Sequence, residues 1–198
     1  MEQPFVKAAA YGSYDGGLRD LIHMLKYQQV RPAANVLGRM LAEVVAGLEP
    51  SLGDGHLLVV PVPLHPAKLR QRGFNQSELI ARMALKLSPS RDRYSLCDTL
   101  ERTRETLSQT GLTRHQRREN LRGAFRVKSP EKISGCEILL VDDVFTTGTT
   151  VSECARMLRR AGAARVWVAT VARTLKVDAQ HAQFEPDADP SMTMAAHG

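Results

Sequence analysis

The chain has 198 residues, of which 43% are hydrophobic, and a formal net charge of +6. It can bury one substantial core, so we expect a single domain with a small appendage, and the charge suits an anionic partner such as a phosphorylated metabolite or a nucleic acid. Its three cysteines are scattered and lack C-x-x-C spacing, which argues against a disulfide framework or a closed zinc site. No stretch approaches the ~20 apolar residues of a membrane span. We therefore expect a cytoplasmic protein without membrane insertion.

The first segment is predicted to be all-helical. Apolar residues recur at helical spacing over 18–25 and again over 32–48, where a proline opens the second helix. His23 and Lys26 lie opposite the apolar stripe of the first helix or at its edge, and we interpret them as part of a solvated face. We therefore assign residues 1–52 to an N-terminal helical segment.

Two strand–loop–helix units follow. The first has an apolar run over 57–62, a loop, and a helix that Asn75 can cap. The second has a strand over 138–141, a polar loop, and a helix that Gly162 can terminate. The apolar run over 166–172 predicts one more buried strand.

This alternation predicts an α/β fold with a doubly wound, mostly parallel sheet over residues 53–175, and with ligands bound beyond the carboxyl ends of its strands. Residues 94–100 and 121–127 could form a flanking strand pair around a long polar loop. Residues 176–198 are polar and rich in small side chains, so we expect a disordered tail there.

The loop of the second unit has the composition of a phosphate and ribose site. Asp142 and Asp143 come at the end of the strand, and their carboxylates suit vicinal hydroxyls and a hydrated Mg²⁺. A threonine- and glycine-rich turn then leads into a helix, whose free amides and dipole attract phosphate. The turn consists of Thr146, Thr147, Gly148, Thr149 and Thr150. In the alternative interpretation, the acids only satisfy a turn and a threonine caps the helix.

The string over 141–150 resembles the signature that binds 5-phosphoribosyl-1-pyrophosphate (PRPP) in type I phosphoribosyltransferases. The resemblance implies that Asp142 and Asp143 are the catalytic acids, which contact the ribose hydroxyls and bind Mg²⁺ directly or through water. It also implies that residues 146–150 hold the 5′-phosphate. Purine-salvage relatives place an aspartate after the acid pair, and because Thr146 stands at that position, transfer to hypoxanthine or guanine is disfavoured.

Three further stretches resemble the ComF (ComFC, competence protein F) family, namely residues 17–27, residues 60–79 and the polar residues between 102 and 125. Together they cover roughly residues 11–174. The resemblance implies a type I phosphoribosyltransferase fold and a role in DNA uptake and natural transformation. Many family members also carry an N-terminal cysteine-rich zinc module. This chain has no such cysteines, so a zinc site is not carried over.

Two basic stretches are candidates for binding phosphate groups. Lys68, Arg70 and Arg72 follow the first buried strand and are expected to bind pyrophosphate, although a solvated basic loop is the common alternative. The arginine-rich middle loop is too polar to bury itself. It could close over PRPP as a lid, contact nucleic-acid phosphates, or be ordinary surface. Its candidate residues are Arg114, Arg117 and Arg118.

Three functions remain open at this stage. The chain could be an enzyme that displaces pyrophosphate from PRPP with an amine or a nucleobase. It could be a competence factor that binds PRPP or single-stranded DNA, acts with the DNA-uptake machinery and turns over weakly or not at all. It could also be a PRPP-sensing regulator, because fold does not fix function. A homo-oligomer is compatible with each.

Overall fold

The computed structural model describes residues 3–105 and 113–174. Within these ranges a five-stranded sheet has the strand order β1-β7-β6-β2-β3, with every pair parallel, and a separate antiparallel pair joins β4 to β5. In chain order the elements are β1 (Ala8–Ser13), α1 (Gly16–Tyr27), α2 (Ala33–Leu48), β2 (Leu57–Pro61), α3 (Pro66–Arg72), α4 (Gln76–Leu87), β3 (Tyr94–Leu96), β4 (Leu100–Arg102), α5 (Arg114–Leu121), β5 (Phe125–Val127), β6 (Glu137–Phe145), α6 (Thr149–Arg160) and β7 (Arg165–Arg173).

The central strands β6 and β7 are buried because helices cover both faces of the sheet, which explains their nearly continuous apolar sequences. Side chains alternate along β6. Leu139 and Val141 pack with α1, α2 and α4, whereas Ile138 and Leu140 pack with α6 and the β4–β5 hairpin. The predicted α/β fold with a mostly parallel sheet is confirmed.

Strand β1 corrects the prediction that the N-terminal segment is all-helical. It pairs in parallel with β7, with Ala8 opposite Val168, and so forms one edge of the sheet. The strand has the sequence AAAYGS, and its alanines and glycine give little of the branched or aromatic signal by which strands are recognised. The two predicted helices are present as α1 and α2.

Helices α2 and α4 cross closely on one face of the sheet. A Cβ atom built on Gly38 would lie 2.4 Å from Cβ of Met83, so only glycine permits this separation. Leu37 and Leu41 of α2 are fully buried in the same cluster as Trp167 of β7. The start of α4 is thereby held over the sheet, at the edge where the strands end.

The predicted strand pair is only partly correct. β3 joins the main sheet beside β2, whereas β4 pairs with β5, with Leu100 opposite Val127. The predicted tail over 176–198 lies outside the described residues. No helix in the described ranges is long and apolar enough to cross a membrane.

Candidate functional site

The acid pair lies near the carboxyl end of β6. This strand runs on to Phe145, so Asp142 and Asp143 belong to the strand itself, which is longer than the predicted 138–141. Asp142 stands opposite Thr170 of β7, and the residues Asp142 and Asp143 are only 9% and 4% exposed. The acids are therefore held by the sheet and not by a loop.

The first residues of α4 contact both acids. Ser77 Oγ donates to Asp142 Oδ1 over 3.0 Å, and Gln76 Nε2 lies 3.4 Å from Asp143 Oδ1. The backbone N–H of Asp143 also donates to Asp142 Oδ1 over 2.9 Å. The sequence patterns did not single out Gln76 or Ser77, although their position at a helix start that follows a strand end was a usable signal.

Asn75 fixes the start of α4, as the sequence predicted. Its side-chain oxygen accepts from the N–H of Ser77 over 3.0 Å, and its Nδ2 donates to the carbonyl of Val62 over 3.0 Å. The second bond ties the helix start to the chain that leaves β2. This double anchor positions the side chains that reach the acids.

Lys26 contradicts the interpretation of a solvated face on α1. Its Nζ forms an ion pair with Asp143 Oδ2, and the side chain of Lys26 is 18% exposed. His23 is also partly buried, with Nε2 3.0 Å from the hydroxyl of Tyr14 and its ring packed against Tyr27. The interpretation of these two residues as solvated was wrong, because helical spacing shows only which residues lie off the apolar stripe. It does not show which of those residues contact another element of the fold.

The two acids have different proton affinities. Burial and the neighbouring Asp143 carboxylate raise the pKa of Asp142 to about 8. Burial also favours the neutral form of Asp143, but the Lys26 ammonium outweighs it and holds the pKa of Asp143 below its ordinary value. Asp143 is thus held as a charged carboxylate, whereas Asp142 can carry a proton. Together they can accept hydrogen bonds from hydroxyl groups and donate one to them.

The threonine- and glycine-rich turn forms the N-terminus of α6. Gly148 precedes the helix with a φ of 73°, in the left-handed region. A Cβ atom built on it would lie 2.6 Å from Cζ of Phe145. The hydroxyls of Thr147 and Thr149 lie 2.8 Å apart. A small depression of about 10 Å³ lies between this turn and the first acid, and it is lined by Asp142, Val144, Phe145, Thr146, Gly148, Thr150 and Val151.

The basic stretch after β2 is helical, where a loop was predicted. Lys68 and Arg70 are exposed on α3. Arg72 is buried, donates from Nη1 to Gln76 Oε1 over 2.5 Å, and places its guanidinium 5.7 Å from the ring centre of Tyr27. Burial lowers its pKa. Arg72 is thus held by protein groups, unlike the other two cations.

The middle loop contributes α5 between β4 and β5. Arg114, Arg117 and Arg118 fall on α5, but their side chains lie outside the described part of the structure. At the end of β4 that leads to α5, Arg102 stacks over Phe125. Burial lowers the pKa of Arg102, and the Asp142 carboxylate acts in the opposite direction. Both β5 and α5 pack against α6, the helix that begins at the threonine- and glycine-rich turn.

The acids supply the kind of ligand that Mg²⁺ prefers. Among the described residues, no group of three or more His, Cys, Asp or Glu side chains could hold a metal ion on its own. Asp142 and Asp143 can provide one or two carboxylate oxygens, which fits an ion that keeps waters and takes further oxygens from a phosphorylated ligand. The residues present thus fit Mg²⁺ bound together with such a ligand.

The family model described as "phosphoribosyl transferase domain" matches residues 78–195. The chain is 36% identical over 182 residues to DNA utilization protein YhgH of Escherichia coli K12, covering 87% of this chain and 74% of the relative. It is 32% identical over 178 residues to competence protein F of Haemophilus influenzae, covering 87% of this chain and 75% of the relative. The chain belongs to the ComF family. The sequence-based prediction of this family, with its phosphoribosyltransferase domain, is confirmed.

A solved structure with a similar fold is glutamine PRPP amidotransferase from Bacillus subtilis, complexed with ADP and GMP. It is 21% identical, with a TM-score of 0.45, and the match covers 71% of this ComF-family chain and 26% of that chain. The ComF-family chain thus spans about a quarter of the length of the amidotransferase.

Proposed function

We propose that this ComF-family chain binds PRPP with Mg²⁺ at the junction of β6 and α6, in the cytoplasm, and takes part in DNA utilization during competence. The observation that carries the proposal is the proximity of the buried Asp142 to the turn before α6, since both line one small depression. This arrangement brings a buried carboxyl group next to a helix N-terminus, which are the groups suited to a ribose and to its phosphate. The names of the relatives support the role in DNA utilization and competence.

Each part of PRPP then has a place. Asp142 and Asp143 hydrogen-bond the ribose hydroxyls, and the N-terminal amides of α6 with Thr146 to Thr150 hold the 5′-phosphate. Bound Mg²⁺ would offset the negative charge of the pyrophosphate and assist its departure. Lys68 and Arg70 are the exposed cations for the pyrophosphate. Arg72 instead orients Gln76 toward Asp143.

The proposal is tested by calorimetric titration of the wild-type chain with PRPP, with Mg²⁺ present and with EDTA in excess. We expect binding with Mg²⁺ and its loss in EDTA. Ribose 5-phosphate should also bind, more weakly, because it lacks the pyrophosphate. A folded chain that binds PRPP under neither condition rejects the proposal.

A second candidate function is a phosphoribosyltransferase that turns over. It is favoured by the β4–β5 hairpin, because β5 and the connecting helix α5 pack against α6, whose N-terminus is the proposed phosphate site, and a lid would need such a neighbouring segment. Release of pyrophosphate in the presence of a panel of amines and nucleobases tests it. Release above the spontaneous rate identifies an enzyme, whereas binding without release favours a PRPP-dependent competence factor or regulator.

Replacement of Arg114, Arg117 and Arg118 by glutamine separates the two uses of α5. If the helix binds single-stranded DNA, the plot of log binding constant against log salt concentration should become less steep. We expect its slope to fall in magnitude by up to ~0.7 for each phosphate contact that is lost. If it is a lid, the variant should lose pyrophosphate release or PRPP protection and keep its DNA affinity unchanged. The measurements are fluorescence anisotropy over a salt series and pyrophosphate release. A variant that matches wild type in both rejects both roles.

A further inference from the structure

Lys26 stands where a cation would approach Asp143. Its ammonium pairs with Oδ2 of Asp143, while Gln76 lies within hydrogen-bond distance of Oδ1. The side chains of Lys26 and Asp143 are 18% and 5% exposed, so this charge pair is largely removed from water. Both oxygens of the carboxylate therefore face a protein donor in the free chain.

The position of Lys26 follows from the packing of α1. Ile22 and Leu25 are each 1% exposed and anchor the inner face of the helix, and Lys26 follows Leu25 directly. The four-carbon stem of lysine is flexible, so Nζ can leave Asp143 without any movement of the helix. The helix thus fixes the position of Lys26, while its ammonium group can still exchange Asp143 for another partner.

The charges decide which cations can compete with Lys26. A free divalent cation that approaches Asp143 meets the repulsion of the ammonium and must also shed tightly held water. A divalent cation already bound to pyrophosphate belongs to a complex of net negative charge. The same ammonium attracts that complex, because charge-assisted contacts with phosphate oxygens are strong.

We propose that Lys26 is a built-in counter-ion that keeps divalent cations off Asp143 unless they arrive bound to the pyrophosphate of PRPP. This inference rests on the proposed PRPP site and specifies the order in which the metal and PRPP bind there. Metal and PRPP enter together, and the metal does not bind first. The role of Lys26 is to position charge at the site, and none of the steps above requires it to react.

The test uses Mn²⁺ alone as the probe, with free Mn²⁺ measured by electron paramagnetic resonance and no PRPP present. We expect Lys26→Met to bind Mn²⁺ about tenfold or more tightly than wild type, since the variant lacks the repelling charge but keeps a stem of similar length. Lys86→Met removes an exposed lysine of α4 and should leave Mn²⁺ affinity unchanged. The further change Asp143→Asn should abolish the gain.

Equal Mn²⁺ affinity in wild type and folded Lys26→Met overturns the inference. If Lys26→Met does not fold, Lys26→Gln, which keeps a donor without the charge, serves the same comparison. The wild-type chain is informative by itself, because Mn²⁺ binding without PRPP that is as tight as binding with PRPP contradicts the inference. Failure of wild type to bind PRPP rejects the proposed function instead. The Mn²⁺ comparison between variants does not depend on PRPP, so the two failures can be told apart.

Discussion

Replacing both Asp142 and Asp143 by asparagine is expected to weaken Mg²⁺-dependent PRPP binding by about a hundredfold or more, because each lost hydrogen bond to a charged group is worth roughly 1.5–3 kcal/mol. Both carboxylates are buried at the end of β6 and already oriented by α4. An amide keeps their shape but cannot supply an anionic oxygen to a ribose hydroxyl or to hydrated Mg²⁺. Calorimetric titration with PRPP in Mg²⁺ gives the measurement.

A matched control makes the same two Asp→Asn substitutions at positions remote from the acids in sequence. Asp54 is exposed, and the side chain of Asp92 is 100% exposed, so Asp54→Asn with Asp92→Asn should bind PRPP like wild type. The acid-pair variant also removes the ion partner of Lys26, so its folding is checked by urea unfolding before the titration. Wild-type affinity in the folded variant would remove these carboxylates from the site.

Gly148→Val is expected to weaken binding of ribose 5-phosphate by about tenfold or more, since a left-handed backbone conformation costs an L-residue roughly 1–2 kcal/mol and a branched side chain more. The new Cβ would also lie 2.6 Å from the ring of Phe145, so either the turn or the ring must move. We expect the variant to remain folded, because the change lies in a turn at the end of the sheet. The rise in melting temperature caused by ribose 5-phosphate reports the effect.

Gly162→Val at the other end of α6 is the control for backbone strain. Gly162 has a φ of 100°, and a Cβ atom there would lie 3.2 Å from Oγ of Ser134. This variant should lower the melting temperature of the free protein, while ribose 5-phosphate still raises it as in wild type. If Gly148→Val is protected by ribose 5-phosphate as well as wild type is, the turn does not hold phosphate.

The parts of this protein that sequence could predict are those specified by neighbouring residues. The apolar run of β6, the acid pair and the glycine turn are contiguous, so their order alone indicates a strand, a ligand-binding turn and a helix. Asn75 as a helix cap is equally local, since the bond that it makes reaches Ser77. Helix α3 was within reach too, because Pro66 stands at a favoured first-turn position after His65.

The parts that were missed depend on contacts between distant segments. Lys26 meets Asp143 only because α1 and β6 end at the same edge of the sheet, and no spacing within α1 encodes that meeting. The buried state of Arg72 depends in the same way on Tyr27 and Gln76. Strand β1 carries little strand propensity, and it is extended because β7 offers it a hydrogen-bonding edge.

The pairing of β1 with β7 constrains how the protein is made. Ala8 is paired with Val168, and because β1 is made long before β7, β1 cannot pair in the sheet until β7 has been made. Until β7 has been made, α1 and α2 lack part of the surface on which they pack, and β1 has no partner strand, so its backbone can pair with strands of other chains. A variant that lacked β1 would therefore expose the outer edge of β7, next to the central strand β6 that carries the acids.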